Sequence, residues 1–475
     1  MNGHLRTITL AIFFILTSLV NTGCADTIKE PSVAGSFYPA GEKELRETVG
    51  TFLSNAKTMP QKGTLLALIS PHAGYRYSGQ VAAYGYKQLQ IQNREVRRVV
   101  LIGQSHHEAF RGASVFTTGR FKTPLGNVRI DEQSAKKLLN ENAGVKYYPH
   151  AFAKEHSLEV QLPFLQSVLG EFTIIPILIG SPTRSTYDHI VSELTAMIDE
   201  KTLIIASTDL SHYHGYQQAT DMDRRIIAAI ERLSVQNASE LLADGKSEMC
   251  GSVPVMIAME VAKRHGANLG TLFTYANSGD VTGDRDRVVG YASMGLFRSP
   301  YTDDEKKELL RIARDAIREH ATRGRTIEVE IKNPKLNADG AVFVTIKKQG
   351  LLRGCIGHVQ AVMPLYQSVI KNAIAASSSD PRFPPLKEEE LKDVEIEISI
   401  LSHLQKLKDI KDIQIGTHGL VIRKGYQSGL LLPQVPVEQG WDRDAFLKHI
   451  CVKAGLPEYA WKDSELYTFT AEIIK

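Results

Sequence analysis

Thr64-Leu65-Leu66-Ala67-Leu68-Ile69-Ser70-Pro71-His72-Ala73-Gly74-Tyr75 is an apolar run that stops at a proline and delivers a histidine. A run of this length bounded by a turn former reads as a strand buried on both faces. The form recurs at Val99 to Gly103, which leads into Gln104-Ser105-His106-His107, and at Thr202 to Ser207, which leads into Thr208-Asp209-Leu210-Ser211-His212. Further runs at Phe172 to Ile179, Leu272 to Tyr275 and Val288 to Leu296 alternate with helical patterns. Strands separated by helices predict an α/β domain with a mainly parallel sheet, covered by helices on both faces. In such sheets ligands bind at the carboxyl ends of the strands, where these three histidine-bearing segments fall.

The alternation ends near Arg298. Ser299-Pro300-Tyr301 breaks it, and Thr302-Asp303-Asp304-Glu305 has the form of a capping box ahead of the periodic run Leu309, Leu310, Ile312, Ala313, Ile317. A domain boundary belongs there, with one domain over 31–298 and a smaller α+β domain over 302–475. Strands at Ala341 to Lys347 and Val394 to Leu401, a hairpin across Leu420 to Leu432 and a helix from about Arg443 to Ala454 are expected in the second. With 475 residues there is room for two large cores. The net charge of +3 does not point to a nucleic-acid partner, and no basic block with interleaved aromatics occurs. The four cysteines, Cys24, Cys250, Cys355 and Cys451, are too few and too scattered for a disulfide scaffold or a CxxC zinc site.

The strand-end histidines His72, His106, His107 and His212, with Cys250 in Glu248-Met249-Cys250-Gly251 ahead of an apolar helix as a further candidate, together suit a transition metal such as Fe, Cu or Zn, and not Ca or Mg. Each residue also has an ordinary reading. A lone histidine at a strand end is more often a satisfied polar group, and Cys250 alone reads as a small buried side chain. Glu155-His156-Ser157-Leu158-Glu159 reads either as a solvated helix face or as a cluster behind a site, with Glu155, His156 and Glu159 orienting the ligands.

Ala34-Gly35-Ser36-Phe37-Tyr38-Pro39, Pro71-His72-Ala73-Gly74-Tyr75, Gly103-Gln104-Ser105-His106-His107, Glu155-His156-Ser157-Leu158-Glu159, Ser207-Thr208-Asp209-Leu210-Ser211-His212 and Cys250-Gly251 occur in the order seen in the MEMO family, which this region resembles. That resemblance implies the fold of the class III extradiol dioxygenases and a metal held by His72, His106 and Cys250. It makes Fe(II) the foremost cofactor, with Cu or Zn as alternatives. His212, oriented by Asp209, is then the candidate proton donor or acceptor. In those dioxygenases the third ligand is a carboxylate, so Cys250 is a departure that argues against ring cleavage itself. The reading is a metal-dependent oxidoreductase. Its rival is a non-catalytic module of a protein or cofactor modification system, whose cleft recognises a ligand or peptide.

In the second domain, Leu352-Arg353-Gly354-Cys355-Ile356-Gly357-His358 reads as a tight glycine turn after a strand, with Asp380-Pro381-Arg382-Phe383-Pro384-Pro385 following a helix. Arg353, Cys355, Asp380 and Arg382 form a candidate second surface. The alternative is that Arg353 only ties the turn to a neighbouring carboxylate. These segments, with Gly440-Trp441-Asp442, resemble the AMMECR1 family. MEMO and AMMECR1 modules commonly occur with a radical S-adenosylmethionine protein, which the resemblance implies as a partner.

The first twenty-four residues pull the other way. His4 and Arg6 precede an apolar run from Ile8 to Val20 of about 13 residues, where a bilayer span needs about 20. This reads as an export signal. Gly23-Cys24 resembles a bacterial lipoprotein processing site, which makes Cys24 a lipidation candidate; a plain secretory signal and an uncleaved anchor are the alternatives. The expected location is the cell envelope, on the membrane through a lipid anchor, which conflicts with an oxygen-sensitive cytosolic partner.

Overall fold

In the computed structural model, which describes residues 27–59, 63–92 and 94–475, the apolar runs become strands. Cys24 and the leader lie outside the described residues. Strand β1 (Thr64–Ser70) leads through His72 into helix α1 (Tyr75–Ile91), followed by β2 (Arg98–Gln104), β3 (Thr173–Ile179) and β4 (Thr202–Ser207). These four strands are parallel, in the spatial order β3-β2-β4-β1. Val99, Val100, Leu101 and Ile102 on β2 and Leu65, Ala67 and Leu68 on β1 are fully buried. Each such Leu or Ile contributes roughly 1.5–3 kcal/mol by leaving water.

Helix α2 (Ser252–Arg264) starts directly after Cys250-Gly251, and β5 (Leu269–Asn277) and β6 (Val288–Arg298) complete this half. β6 pairs antiparallel with both β1 and β5, so the expected parallel sheet ends in an antiparallel pair. The reason is the short connection: the helical turn Ser278–Thr282 and the few residues after it cannot make the crossover of about a dozen residues that parallel pairing needs.

The second half opens with α3 (Asp303–Arg323). Thr302 Oγ1 accepts from Glu305 N at 3.3 Å while the Glu305 carboxylate accepts from Thr302 N at 2.7 Å, the capping box its sequence predicts. The linker is held down as well, since Lys335 Nζ donates to Pro300 O at 2.6 Å and pairs with Glu305 at 2.7 Å. β7 (Ala341–Lys348), β8 (Leu351–Gly357), α4 (Leu365–Ser378) and β9 (Val394–Leu401) follow in order. Next come β10 (Gly419–Lys424), β11 (Gln427–Leu431), α5 (Arg443–Lys453), β12 (Glu465–Phe469) and β13 (Ala471–Ile474). They form two antiparallel sheets, β8-β7-β9-β13 and a second built on β12-β10-β11. Cys451 on α5 is fully buried in the core beneath the second sheet.

One expectation is corrected here. Leu352 to Gly357 is not a glycine turn but β8 itself, paired with β7, and the turn is Gln349-Gly350, both at positive φ. Gly354 and Gly357 serve close packing instead: a Cβ on Gly354 would strike the Ala376 carbonyl of α4, and one on Gly357 the Phe343 ring. No helix among the described residues is long and apolar enough to cross a membrane.

Candidate metal centre

The order of the sheet makes the site. β4 is inserted between β1 and β2, so the Ser207-Thr208-Asp209 end of β4 stands between His72 beyond β1 and His106 beyond β2. Gly251 lets the start of α2 close over that end, since a Cβ there would collide with the Ser207 carbonyl and the Thr208 side chain. Cys250 is thereby brought in. Ligand atoms of His72, His106 and Cys250 lie within 4.8 Å of one another. Sγ is 3.2 Å from His72 Nε2, close to the roughly 3.5 Å that separates two ligands on a tetrahedral ion with bonds of about 2.0–2.3 Å.

The hydrogen bonds behind the imidazoles decide which nitrogen each presents. Ser207 Oγ donates its one proton to Ser157 O at 2.6 Å and accepts from Gln161 Nε2 at 2.9 Å. It can therefore only accept from His72 Nδ1, 2.9 Å away, so Nδ1 carries a proton and Nε2 turns to the cluster. Glu155 does the same for His106. Its Oε1 accepts from His106 Nδ1 at 3.0 Å and from the backbone N–H groups of His156 and Ser157, and its Oε2 accepts from His106 N at 2.6 Å. With these lone pairs engaged, Glu155 is an orienting group and not a ligand, although it lies with His106 and His156 in a second group of metal-binding type.

Charge follows geometry. Burial opposes ionisation of the Cys250 thiol, but His72 and the hydrogen bonds from both histidines outweigh it and bring the pKa down to about 6. Burial likewise works against protonated His72, yet Cys250 and Asp209 lift it to about 9; at His106, Cys250 and Glu155 overcome burial and lift it to about 10. The cluster thus has a thiolate beside imidazoles holding protons that a cation would displace. Glu155 is held well below the usual carboxylate range, because His106 and the backbone donors outweigh its burial.

The other expected site residues divide. His156 enters the cluster itself, its ring 4.9 Å from that of His106 and 5.4 Å from that of His72. Burial, then the charge of His72, pushes it down to about 4, so it is a neutral imidazole, and its buried Nδ1 has no hydrogen-bond partner among the described residues. Glu159 does not stand behind the ligands. Residues 154–158 are not helical, and the Glu159 carboxylate faces the N-terminal segment, binding Lys29 Nζ, the Ser32 and Val33 N–H groups and the Tyr38 hydroxyl at 2.7–3.0 Å. Asp209 does not orient His212. Its Oδ1 accepts from His72 N at 2.8 Å and its own N–H points at Sγ of Cys250 at 3.2 Å, so it braces two members of the cluster. The His212 ring meets that of Tyr213 at 5.8 Å, and its side chain makes no hydrogen bond among the described residues. Ser207 and Gln161 escape the sequence reading; the only signal was that Ser207 ends a buried strand with a hydroxyl.

In the second domain the candidate surface is a brace. The Arg353 guanidinium bonds both Glu390 oxygens at 2.9 and 3.2 Å and the Pro384 and Pro385 carbonyls, leaving its fork committed. Asp380 accepts from Cys355 N at 2.8 Å while Arg382 donates to Cys355 O at 3.3 Å, so the loop covers the free edge of β8. Burial raises the Cys355 thiol, which makes it a poor nucleophile.

A mostly parallel α/β domain with a His–His–Cys cluster at its strand ends, joined to an antiparallel α+β domain, defines the class of protein. The chain belongs to the Memo-like protein family, whose model matches residues 29–295, and residues 310–474 match the AMMECR1 family. It is 36% identical over 281 residues to the MEMO1 family protein MK0963 of Methanopyrus kandleri, covering 57% of this chain and 99% of that protein. A MEMO1 family protein of Aquifex aeolicus is 36% identical over 275 residues, covering 56% of this chain and 98% of that one. Among solved structures, the protein PH0010 from Pyrococcus horikoshii shares 42% identity over 36% of this chain and 91% of its own, with a TM-score of 0.35.

Proposed function

We propose that this chain is a metal-dependent oxidoreductase of the cell envelope, holding a redox-active transition metal, Fe(II) foremost, on His72, His106 and Cys250. The observation that carries the reading is the pair of fixed tautomers: Ser207 and Glu155 each take the Nδ1 proton of one histidine, leaving both Nε2 atoms and the Cys250 thiolate turned toward one point. When bound, such a metal supplies Lewis acidity and one-electron chemistry at an open position. The chain's own residues bind and orient around it. Asp209 fixes the His72 backbone and the Cys250 sulfur, and His156 stands beside the cluster as a neutral imidazole. Relatedness to the non-haem dioxygenases rests on the family resemblance, and the thiolate in place of a carboxylate favours a different oxidation over ring cleavage.

Elemental analysis of the full chain purified anaerobically and offered Fe(II), Cu and Zn tests this, together with oxygen uptake after Fe(II) loading. About one metal per chain is expected, with Fe(II) giving uptake; no stoichiometric metal from any of the three ends the proposal. Export and lipidation at Cys24 rest on the leader alone. Cys24→Ser should release the chain from the membrane fraction or block its processing, and an unlipidated wild-type terminus would favour ordinary secretion. A radical S-adenosylmethionine partner remains a proposal of the family resemblance, to be tested by copurification.

A further inference from the structure

Away from the metal cluster, a cleft of about 1220 Å³ runs along the seam of the two halves, lined by Lys263, Arg264 and Arg298 from the first and by His403, Arg423 and Tyr467 from the second. Small-molecule sites run to about 1,000 Å³, so the cleft has room for an organic ligand. Helix α2 separates it from the metal: Cys250 precedes one end and Lys263 lies at the other, about 20 Å away for 13 residues.

The seam is fixed by contacts around the cleft. Glu260 meets His403 at 3.3 Å, Arg232 meets Asp339 at 3.2 Å, and Gln405 Nε2 donates to Arg264 O at 2.8 Å. These contacts, with others nearby, also settle the charge. Each acid that lines the cleft has a cation of its own: Asp188 pairs with Arg184, Asp339 with Arg232 and Glu472 with Lys306. Glu260, beside Lys263, is held by Arg264 and His403, and Arg298 is held by Glu200. Two cations are left without an ion pair among the described residues. The half-buried Lys263 ammonium has near it only Glu260 and Asp339, both already held by other cations, and the Arg423 guanidinium lies over the Tyr467 ring at 5.1 Å, the carboxylate opposite it in register, Glu465, being bound by Lys406. One stands on each wall.

We propose that this seam cleft binds a small phosphorylated organic molecule, its phosphate held between Lys263 of the first domain and Arg423 of the second. A part-buried ammonium whose neighbouring carboxylates are committed to other cations is costly, and an anion entering the cleft lowers that cost. A phosphate dianion has the charge and the oxygens to answer both a point charge and a fork of donors. Apolar lining from Val359, Ala361 and Tyr467 would take the organic part.

Titration of the full chain with inorganic pyrophosphate at fixed ionic strength tests the site. Saturable binding near one per chain is expected. Lys263→Met and Arg423→Met should each weaken it by at least about tenfold, while Lys263→Arg and the exposed control Lys122→Met keep it. Metal content and far-ultraviolet circular dichroism should be unchanged throughout, which separates this site from the metal reading. Absence of saturable binding, wild-type affinity in either Met variant, or acetate competing as well as pyrophosphate at the same ionic strength would each overturn the proposal.

Discussion

Ser207 Oγ stands 2.9 Å from His72 Nδ1 with its only proton already given to Ser157 O, so a serine that touches no candidate metal position determines which face of His72 does. Ser207→Ala should leave the fold intact and lower metal affinity by about 10–100-fold, because the imidazole loses the partner that sets its tautomer. The cost in stability should be about 1–3 kcal/mol, as Gln161 and Ser157 lose a buried partner. Chelator competition and thermal melting read the two effects separately.

His72→Ala, His106→Ala and Cys250→Ala should each remove most bound metal while the chain stays folded. His107→Ala is the control: its side chain is exposed, and its ring lies 5.8 Å from that of His156. Full metal content in the first three variants, or its loss in the fourth, would show the ligand set to be wrong.

Glu159 should behave as a structural anchor. The pair it forms with Lys29 is almost wholly buried, at 1% and 7% exposure, so Glu159→Ala leaves a buried ammonium alone and should cost about 3–5 kcal/mol. Limited proteolysis should then cut within residues 29–41, while metal content per folded chain stays the same.

Arg353→Ala should lower the stability of the second domain alone, by about 1–3 kcal/mol, by releasing Glu390 and the 380–385 loop from β8. Calorimetry of the full chain should show one transition moving and metal content unchanged. A change in metal-dependent activity at constant stability would instead restore Arg353 to a shared functional surface.

The seam should loosen in acid. Burial opposes ionisation of Glu260, but His403 and Arg264 outweigh it and bring its pKa from 4.5 down to about 2. A folded-state pKa below the unfolded one contributes stability that is complete above about pH 4.5 and is lost as the pH falls toward 2. At most about 3 kcal/mol is at stake. Glu260→Gln should flatten that part of the stability curve in an acid titration followed by domain-resolved melting, and an unaltered curve would remove Glu260 from the seam's acid response.

What was legible in the sequence were features set by neighbours along the chain. The buried runs at Thr64–Ser70 and Thr202–Ser207, the capping box at Thr302 and the stripe that buries Cys451 all follow from local periodicity and hydrogen-bonding chemistry. The family motifs marked His72, His106 and Cys250 as one set, and their convergence within 4.8 Å agrees. Tertiary structure decided the rest, because a side chain's role depends on partners brought in by the order of the strands. Only the insertion of β4 between β1 and β2 gives Ser207 to His72 and Asp209 to Cys250. Glu155 and Glu159 look equivalent in sequence, yet the non-helical path of residues 154–158 sends one to His106 and the other to Lys29. Arg353 finds Glu390 across 37 residues, and glycines that suggest a turn lie in a strand because α4 and Phe343 press against them. Such contacts arise from packing two elements far apart in sequence, and no local pattern of charge or polarity encodes them.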